Sequence, residues 1–262
     1  MGKRNFKVKI PETDKNVRQG EEPFIIEYNG VEKRIRAHDY DEIYKVPGLY
    51  EYLFYDKYKC DSPNVVCSQL VKEVKNTPMK ISDLKVLDVG AGNGMVGEEL
   101  KSAGADSVFG IDIIEEAAEA IKRDRPGIYE NYLIEDLTSL PDEAREKIEK
   151  WSPNCMTIVA ALGFDDIPPE AFAEAYNMIS NPGWVAFNIK DEFCSKSDRT
   201  GFSNLIDDMT DSSVFSVKSK KRYRHRFCQD GTPLNYFAVI GQKQEDIPEN
   251  MNVEHRTSKI EF

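Results

Sequence analysis

Hydrophobic residues along the chain follow two alternating patterns, short apolar runs and longer stretches with helical spacing. The short runs are rich in β-branched residues and predict buried strands near 84–89, 107–112, 130–134, 156–162 and 184–190. The amphipathic stretches between them predict helices near 94–103, 115–124, 141–151 and 168–180. This alternation predicts right-handed crossovers and an α/β fold, a doubly wound and mostly parallel sheet with helices on both faces.

Other patterns lie before and after this alternating region. Two strand-like runs flank Asn29-Gly30, a strong signal for a β-hairpin, and the tyrosine-rich residues 40–59 predict two short helices around Pro47-Gly48. A helix is expected from an N-cap at Ser62 to about Lys75. After a helix near 201–210, strands at 213–227 and 234–243 have so short a connection that they must be antiparallel.

These elements divide the chain into three parts. Residues 1–62 are expected to hold a polar tail to residue 20, the β-hairpin and a helical lid, followed by an α/β domain at 63–243 and a polar tail at 244–262. We expect residues 38–61 to become ordered when a ligand binds. They lie outside the α/β alternation and contain more aromatic surface than a short segment can bury alone.

Candidate chemistry is concentrated where the first two strands of the α/β region end. The first strand runs directly into Gly90-Ala91-Gly92-Asn93-Gly94, and a helix follows. Glycines at such a junction let the backbone approach a ligand closely. The second strand ends on Asp112, whose carboxylate could accept both hydroxyls of a ribose. The two features together predict an adenosine-type ligand.

The glycine run also satisfies the G-x-G-x-x-G pattern of dinucleotide enzymes over residues 92–97. Two details count against a dinucleotide: the run begins earlier, at Gly90, and Asp88 precedes it where a pyrophosphate would be repelled. A cationic group such as the α-ammonium of S-adenosylmethionine would be stabilised by that carboxylate instead. An ordinary strand–helix turn with a hydrogen-bonded acid is the alternative.

The segment Leu87-Asp88-Val89-Gly90-Ala91-Gly92-Asn93-Gly94 resembles the first motif of the class I S-adenosylmethionine-dependent methyltransferases. The resemblance covers about residues 60–243. It implies a seven-stranded Rossmann-like sheet whose C-terminal antiparallel hairpin inserts the final strand beside the fifth. It also implies that Asp112 binds ribose and that Asp136, which could equally be an N-cap, holds adenine together with Leu137. The cofactor residues expected at the motif and the strand ends are Asp88, Gly90, Ala91, Gly92, Gly94, Asp112, Ile113, Asp136, Leu137 and Leu162. Tyr44 and Tyr58 are added from the tyrosine-rich segment, which would place a phenol near the methionine end of the cofactor.

Residues for the acceptor side are harder to assign. Lys218 to Arg226 is strongly basic and predicts either a solvated edge strand or a strip that binds an anionic group of the substrate. In the second case the arginines at 222, 224 and 226 would share one face of the strand. His225 is the leading candidate for a general base, with His38 and Tyr58 as competitors and a surface position as the alternative. Tyr44 and Tyr58 could bind the cofactor's carboxylate or its sulfonium.

Composition narrows the classes of function. The net charge of −11 and pI near 5.0 disfavour a nucleic-acid partner. Five cysteines without C-x-x-C spacing and three histidines predict a reducing compartment and no metal site. Because no apolar run approaches the roughly 20 residues of a membrane span, we expect a cytoplasmic protein.

The prediction is a methyltransferase for a small-molecule acceptor. An RNA or protein methyltransferase, a non-catalytic S-adenosylmethionine-binding protein and, last, a dehydrogenase are the alternatives.

Overall fold

A small antiparallel sheet precedes the α/β region. The computed structural model describes residues 4–12, 17, 19–163, 166–194, 198–248 and 251. The small sheet contains β1 (Phe6–Lys9), β2 (Pro23–Tyr28) and β3 (Val31–Arg36) in that order. The predicted hairpin is confirmed, because β2 and β3 pair on either side of Asn29-Gly30. The tail expected up to residue 20 is wrong in part: β1 pairs with β2 and buries Phe6 in the core of this unit.

Helical turns connect the small sheet to the main one. Helix α1 (Tyr40–Tyr44) and a π-helical stretch (Glu51–Lys57) lie on either side of Pro47-Gly48, and helix α2 spans Ser62–Lys75. The predicted N-cap at Ser62 is wrong, because Asp61 occupies the cap position. The Ser62 hydroxyl is buried against Tyr223 and His225, so it is not available to its own helix end.

Seven strands form the main sheet. They are β4 (Lys85–Val89), β5 (Ser107–Asp112), β6 (Asn131–Ile134), β7 (Cys155–Ile158), β8 (Gly183–Lys190), β9 (Phe215–Phe227) and β10 (Pro233–Lys243). Their order is β6-β5-β4-β7-β8-β10-β9, with β4 to β8 parallel and β10 antiparallel to both of its neighbours. The predicted fold class is therefore confirmed, including the insertion of the last strand beside the fifth.

Helices cover both faces of this sheet. They are α2, α3 (Met95–Ser102), α4 (Glu115–Asp124), α5 (Asp142–Trp151), α6 (Pro169–Met178) and α7 (Phe202–Asp211). Successive residues of β4 enter opposite cores: Val86 packs in one cluster with Leu70 of α2, and Leu87 packs in the other with Phe172 of α6. Burial on both faces explains why the strands are continuous apolar runs in the sequence.

Two predicted boundaries need comment against the structure. The strand expected at 156–162 ends at Ile158, because Ala160 turns into a left-handed conformation (φ 61°) and its N–H donates to the Asn188 side chain. The predicted tail 244–262 falls largely outside the described residues, since only residue 251 is described beyond position 248. In the part of the chain that is described, no helix is both long and apolar enough to cross a membrane.

Candidate active site

The glycine turn after β4 is fixed by hydrogen bonds within the protein. Gly90 and Gly92 have φ angles of 65° and 53°, in the region that favours glycine. The N–H groups of Gly90 and Ala91 donate to the Ile111 carbonyl oxygen, and the N–H of Gly92 donates to the Asp112 carboxylate at 2.8 Å. Since these three donors already have acceptors, they are not available to the pyrophosphate of a dinucleotide.

Asp88 lies beneath this turn and is 1% exposed. The hydroxyls of Tyr129 and Thr157 each donate to one of its carboxylate oxygens, both at 2.7 Å. Burial raises the pKa of Asp88 to about 7. Asp88 therefore supports the turn from below. It does not line the cavity described next, so direct contact with a cationic ligand group finds no support in this geometry.

A first cavity opens at the carboxyl ends of β4, β5, β6 and β7. It encloses about 820 Å³, counting the part open to solvent, and lies where open α/β sheets bind their ligands. Six of the expected cofactor residues line it: Tyr44, Gly90, Asp112, Ile113, Asp136 and Leu137. Sequence reasoning did not assign Tyr40, Tyr50 and Ala160, which also line it. The density of tyrosines in the N-terminal segment was a signal, but it could not tell which rings face the cavity.

Asp112 and Ile113 form one wall of this first cavity. The Asp112 carboxylate accepts one hydrogen bond on each oxygen, from the N–H groups of Gly92 (2.8 Å) and Ile114 (2.9 Å). Each oxygen keeps a further lone pair, so the carboxylate can still accept hydroxyl donors. Burial raises the pKa of Asp112. Beside it, Ile113 is a large apolar side chain that is 61% exposed, which provides surface that a flat apolar ligand group can cover.

Asp136 lies at the end of the next strand, β6. Its Oδ1 accepts both the N–H (2.8 Å) and the hydroxyl (2.7 Å) of Thr138, so the alternative role as an N-cap is confirmed. Among the described residues no hydrogen bond reaches its Oδ2. The cap therefore leaves half of the carboxylate available to a ligand.

Three tyrosine rings form the wall that the N-terminal segment contributes. The ring centroids of Tyr44 and Tyr50 are 5.2 Å apart, and those of Tyr40 and Tyr44 are 6.2 Å apart. Burial raises the pKa of all three phenols, so they are uncharged at neutral pH. The Tyr44 hydroxyl lies so close to the turn that a Cβ at Gly92 would be 2.5 Å from its oxygen. An uncharged aromatic wall suits a ligand with a positive charge.

Charged groups hold the N-terminal segment over the turn. Asn93 Nδ2 and Arg125 Nη1 both donate to Glu51 Oε1 at 2.8 Å. Arg125 also pairs with Glu98 of α3 at 2.7 Å. The predicted lid thus covers the carboxyl edge of the sheet, and its ordering on ligand binding stays a prediction.

A second cavity of about 480 Å³, counting its open part, adjoins the first. The two share the lining residues Tyr40, Tyr50, Ala160 and Asp166. His225 and Leu162 line this second cavity and not the first, together with Gln19, His38, Cys60, Arg226 and Tyr236. The remaining expected site residues line neither cavity: Asp88, Ala91, Gly92, Gly94 and Tyr58.

His225 is buried, so the alternative of a surface position is wrong. Its Nδ1 lies 2.6 Å from Ser62 Oγ, and its ring centroid is 4.2 Å from that of Tyr236. Burial, with the neighbouring Arg226 charge, lowers the pKa of His225 to about 3. A group with this pKa and an engaged Nδ1 is a poor general base at neutral pH.

Tyr58 is also separated from the expected chemistry. Its hydroxyl is buried without a hydrogen-bond partner among the described residues, and its ring lies 4.8 Å from the Arg226 guanidinium carbon. Its ring packs against Phe24 of the small sheet at a centroid distance of 5.7 Å. This position gives Tyr58 a packing role in the N-terminal unit.

The predicted anion-binding strip does not form. Strand β9 is the outer strand of the sheet, and its lysines are largely exposed, as expected for a solvated edge. A bulge at His225 breaks the alternation of side chains, so Arg226 is buried in an ion pair with Glu22 (2.5 Å). Arg222 instead pairs with Asp191 at 2.8 Å. The arginines therefore do not converge on one ligand.

Comparisons with known proteins find similarity only at the level of structure. No protein-family model matches the sequence, and no curated protein matches it. Similar solved structures include magnesium protoporphyrin IX methyltransferase from Synechocystis PCC 6803 with bound S-adenosylmethionine (16% identity, 68% of this chain and 77% of that chain, TM-score 0.47). Others are an S-adenosylmethionine-dependent methyltransferase from Methanosarcina mazei (18%, 66% and 98%, TM-score 0.46) and ribosomal protein L11 methylase from Lactobacillus delbrueckii subsp. bulgaricus (18%, 68% and 79%, TM-score 0.45). Similarity at these values does not by itself define the function of this chain.

Proposed function

We propose that this chain is an S-adenosylmethionine-dependent methyltransferase of class I that acts on a small-molecule acceptor. The main support is the series of groups along the first cavity: the glycine turn after β4, Asp112 at the end of β5 and Asp136 after β6. Three neighbouring parallel strands thereby present, at one edge, the groups that an adenosyl ligand requires.

The residues fit the parts of this cofactor. The Asp112 carboxylate has lone pairs left for two ribose hydroxyls. The exposed Ile113 and the nearly buried Leu137 offer apolar surface for the adenine ring, and Asp136 Oδ2 can accept its amino group. The tyrosine wall provides ring faces and uncharged hydroxyls for the cationic methionine end.

S-adenosylmethionine supplies a methyl group on a sulfonium, so transfer is an in-line displacement with a good leaving group already in place. The chain's own contribution is then mainly to position the reactants and exclude water. The N-terminal segment covers the cavity from above, and Ala160, which lines both cavities, is fixed by its hydrogen bond to Asn188 (2.6 Å). A strong base is not part of this proposal, since the pKa of His225 is far below neutral.

A small-molecule acceptor is supported by the position of the second cavity. It shares a wall with the first and lies partly under N-terminal residues such as Gln19 and His38. An RNA or protein acceptor held by β9 has less support, because Arg226 is buried against Glu22 and Arg222 is paired with Asp191.

Transfer of a labelled methyl group tests the proposal. The protein and labelled S-adenosylmethionine are incubated with the small-molecule, RNA and protein fractions of a cell extract. We expect label in the small-molecule fraction, and a loss of that label with Asp112→Ala. Label confined to RNA or protein would contradict the acceptor class. Binding of the cofactor without transfer to any fraction would favour the non-catalytic alternative.

A further inference from the structure

We propose that the second cavity binds the acceptor, and that this acceptor is a small molecule that has an N–H or O–H group and no net negative charge. The inference deepens the proposed function and rests on it. The evidence for this inference is separate from the evidence for the cofactor site, because it comes from groups that line only the second cavity.

Gln19 indicates a ligand with a hydrogen-bond donor. Its Nε2 donates to the Tyr236 hydroxyl at 2.8 Å. Its Oε1 is buried and has no hydrogen-bond partner among the described residues. A buried carbonyl oxygen without a hydrogen-bond donor destabilises the protein, so such a group usually has a partner in the functional complex. An amine or hydroxyl in this cavity would supply the missing donor.

The charges around the second cavity do not favour an anion. Arg226 is the cationic lining residue in the described part of the chain, and its guanidinium binds Glu22 (2.5 Å) and the Phe227 carbonyl oxygen (2.8 Å). With the positive charge of Arg226 already paired, the lining suits a molecule without net negative charge. This replaces the anionic substrate expected from the basic strip.

His225 offers the complementary group, a donor. Asn188 Nδ2 donates to Ser62 Oγ (3.1 Å) and to Tyr223 Oη (2.7 Å), and Ser62 Oγ lies 2.6 Å from both Tyr223 Oη and His225 Nδ1. Within this group, each hydroxyl proton finds an acceptor in only one arrangement. In that arrangement Tyr223 donates to Ser62, and Ser62 donates to His225 Nδ1. The imidazole proton is then on Nε2. An alcohol or a neutral amine can accept from that N–H and donate to the Gln19 oxygen, whereas an ammonium group can only donate to the Gln19 oxygen.

The test uses three probes that share one ring and differ in one group: benzylamine, benzyl alcohol and benzoate. Their binding is measured by saturation-transfer NMR on protein saturated with S-adenosylhomocysteine. We expect the amine and the alcohol to bind, and benzoate to bind at least roughly ten-fold more weakly. Gln19→Met should weaken the first two by about ten-fold, the loss expected for one hydrogen bond. Gln19→Glu keeps an acceptor oxygen and should retain benzylamine binding. Gln69→Met, in α2 and outside both cavities, is the control.

The outcomes separate the two proposals. If S-adenosylhomocysteine does not bind the wild-type protein, the proposed function fails. If it binds equally to the wild-type and Gln19 variants but benzoate binds as well as benzylamine, the acceptor class is wrong. Probe binding that is unchanged in Gln19→Met, or no binding of any probe, would overturn the assignment of the second cavity. Normal binding of S-adenosylhomocysteine also shows that each variant is folded.

Discussion

At the residue scale, the Tyr44 hydroxyl lies directly against Gly92 of the glycine turn. Position 92 has φ of 53°, and any Cβ there would approach the Tyr44 hydroxyl oxygen to 2.5 Å, whereas the next ring atom would be 3.5 Å away. The glycine turn and the tyrosine wall are therefore in close contact at Gly92 and the Tyr44 hydroxyl.

Replacement of Gly92 by alanine tests this contact. The variant should bind S-adenosylhomocysteine at least roughly ten-fold more weakly, because Tyr44 has to move, and Tyr44→Phe in the same chain should restore much of the affinity. Gly104→Ala is the matched control: it also has a positive φ (99°), but open space surrounds its Cβ. It should lose about 1 kcal/mol of stability and no affinity. Equal loss of affinity in both glycine variants would mean that general strain, and not Tyr44, is responsible.

Asp88 gives a pH dependence of stability with a definite sign. Its carboxyl has a pKa of about 7 in the folded protein and near 3.9 in the unfolded chain. Between these values only the unfolded chain releases the proton, so this group's contribution to stability falls as pH rises. The stability advantage of the wild type over Asp88→Asn should shrink by roughly 2–3 kcal/mol between pH 5 and pH 8 in urea denaturation. Asp106→Asn, at the exposed opposite end of β5, is the control variant. A difference that does not vary with pH would contradict the raised pKa.

The residues that sequence reasoning placed correctly in the first cavity share one property. Gly90, Asp112 and Asp136 each lie at the carboxyl end of a parallel strand, and such ends meet at one edge whatever the details of packing. Gln19 and Tyr40 come from the N-terminal segment. Their approach to the cavities depends on tertiary contacts that no local pattern in the sequence describes.

At the scale of elements, polar contacts join the tyrosine-rich part of the N-terminal segment to the carboxyl edge of the main sheet. Glu51 joins the π-helical stretch to Asn93 and Arg125, and Arg123 donates to the Tyr44 carbonyl oxygen at 3.1 Å. Local contacts of this kind open more easily than a core does. The segment can therefore loosen without global unfolding.

Hydrogen exchange tests the lid. Exchange should slow across residues 38–61 when S-adenosylhomocysteine is added, because the ligand adds contacts to the tyrosine wall. Glu51→Gln should speed exchange in the same residues without ligand, and Glu27→Gln on the exposed face of β2 should not. Equal protection with and without ligand would make the segment a fixed part of the core. Tyr58→Phe should leave cofactor affinity unchanged, since Tyr58 lines neither cavity.

The elements that sequence reasoning missed have physical explanations. Strand β1 is only four residues long, with Lys7 and Lys9 alternating with Phe6 and Val8, so its pattern is too short to predict a strand by itself and it forms by pairing with β2. The bulge at His225 has no signature in a run of basic residues. It nevertheless determines that His225 and Arg226 are both buried, which two-residue alternation does not allow.

At the scale of the whole molecule, one buried ion pair connects the small sheet to the edge of the main sheet. Glu22 accepts from Arg226 Nη2 (2.5 Å) and from the Gln229 N–H (2.7 Å), and both charged side chains are 3% exposed. Removal of one partner leaves an uncompensated buried charge.

Urea denaturation measures this coupling. Arg226→Met should lower the free energy of unfolding by about 3–5 kcal/mol, because Glu22 stays buried without its partner. Glu22→Gln in the same chain should recover part of this loss, since a neutral amide oxygen can still accept the Gln229 N–H. Arg222→Met removes an exposed ion pair and should cost about 1 kcal/mol or less. If the two arginine variants are equally stable, the buried pair does not hold the units together.

Calorimetry with the demethylated cofactor tests the central claim most directly. S-adenosylhomocysteine should bind the wild-type chain with a dissociation constant on the order of micromolar, and NAD should show no comparable binding. Asp112→Ala should weaken that binding by roughly 1–3 kcal/mol through loss of charge-assisted hydrogen bonds to ribose, whereas Asp106→Ala at the other end of β5 should not. Binding of NAD as tight as that of S-adenosylhomocysteine, or an affinity indifferent to Asp112, would contradict the account.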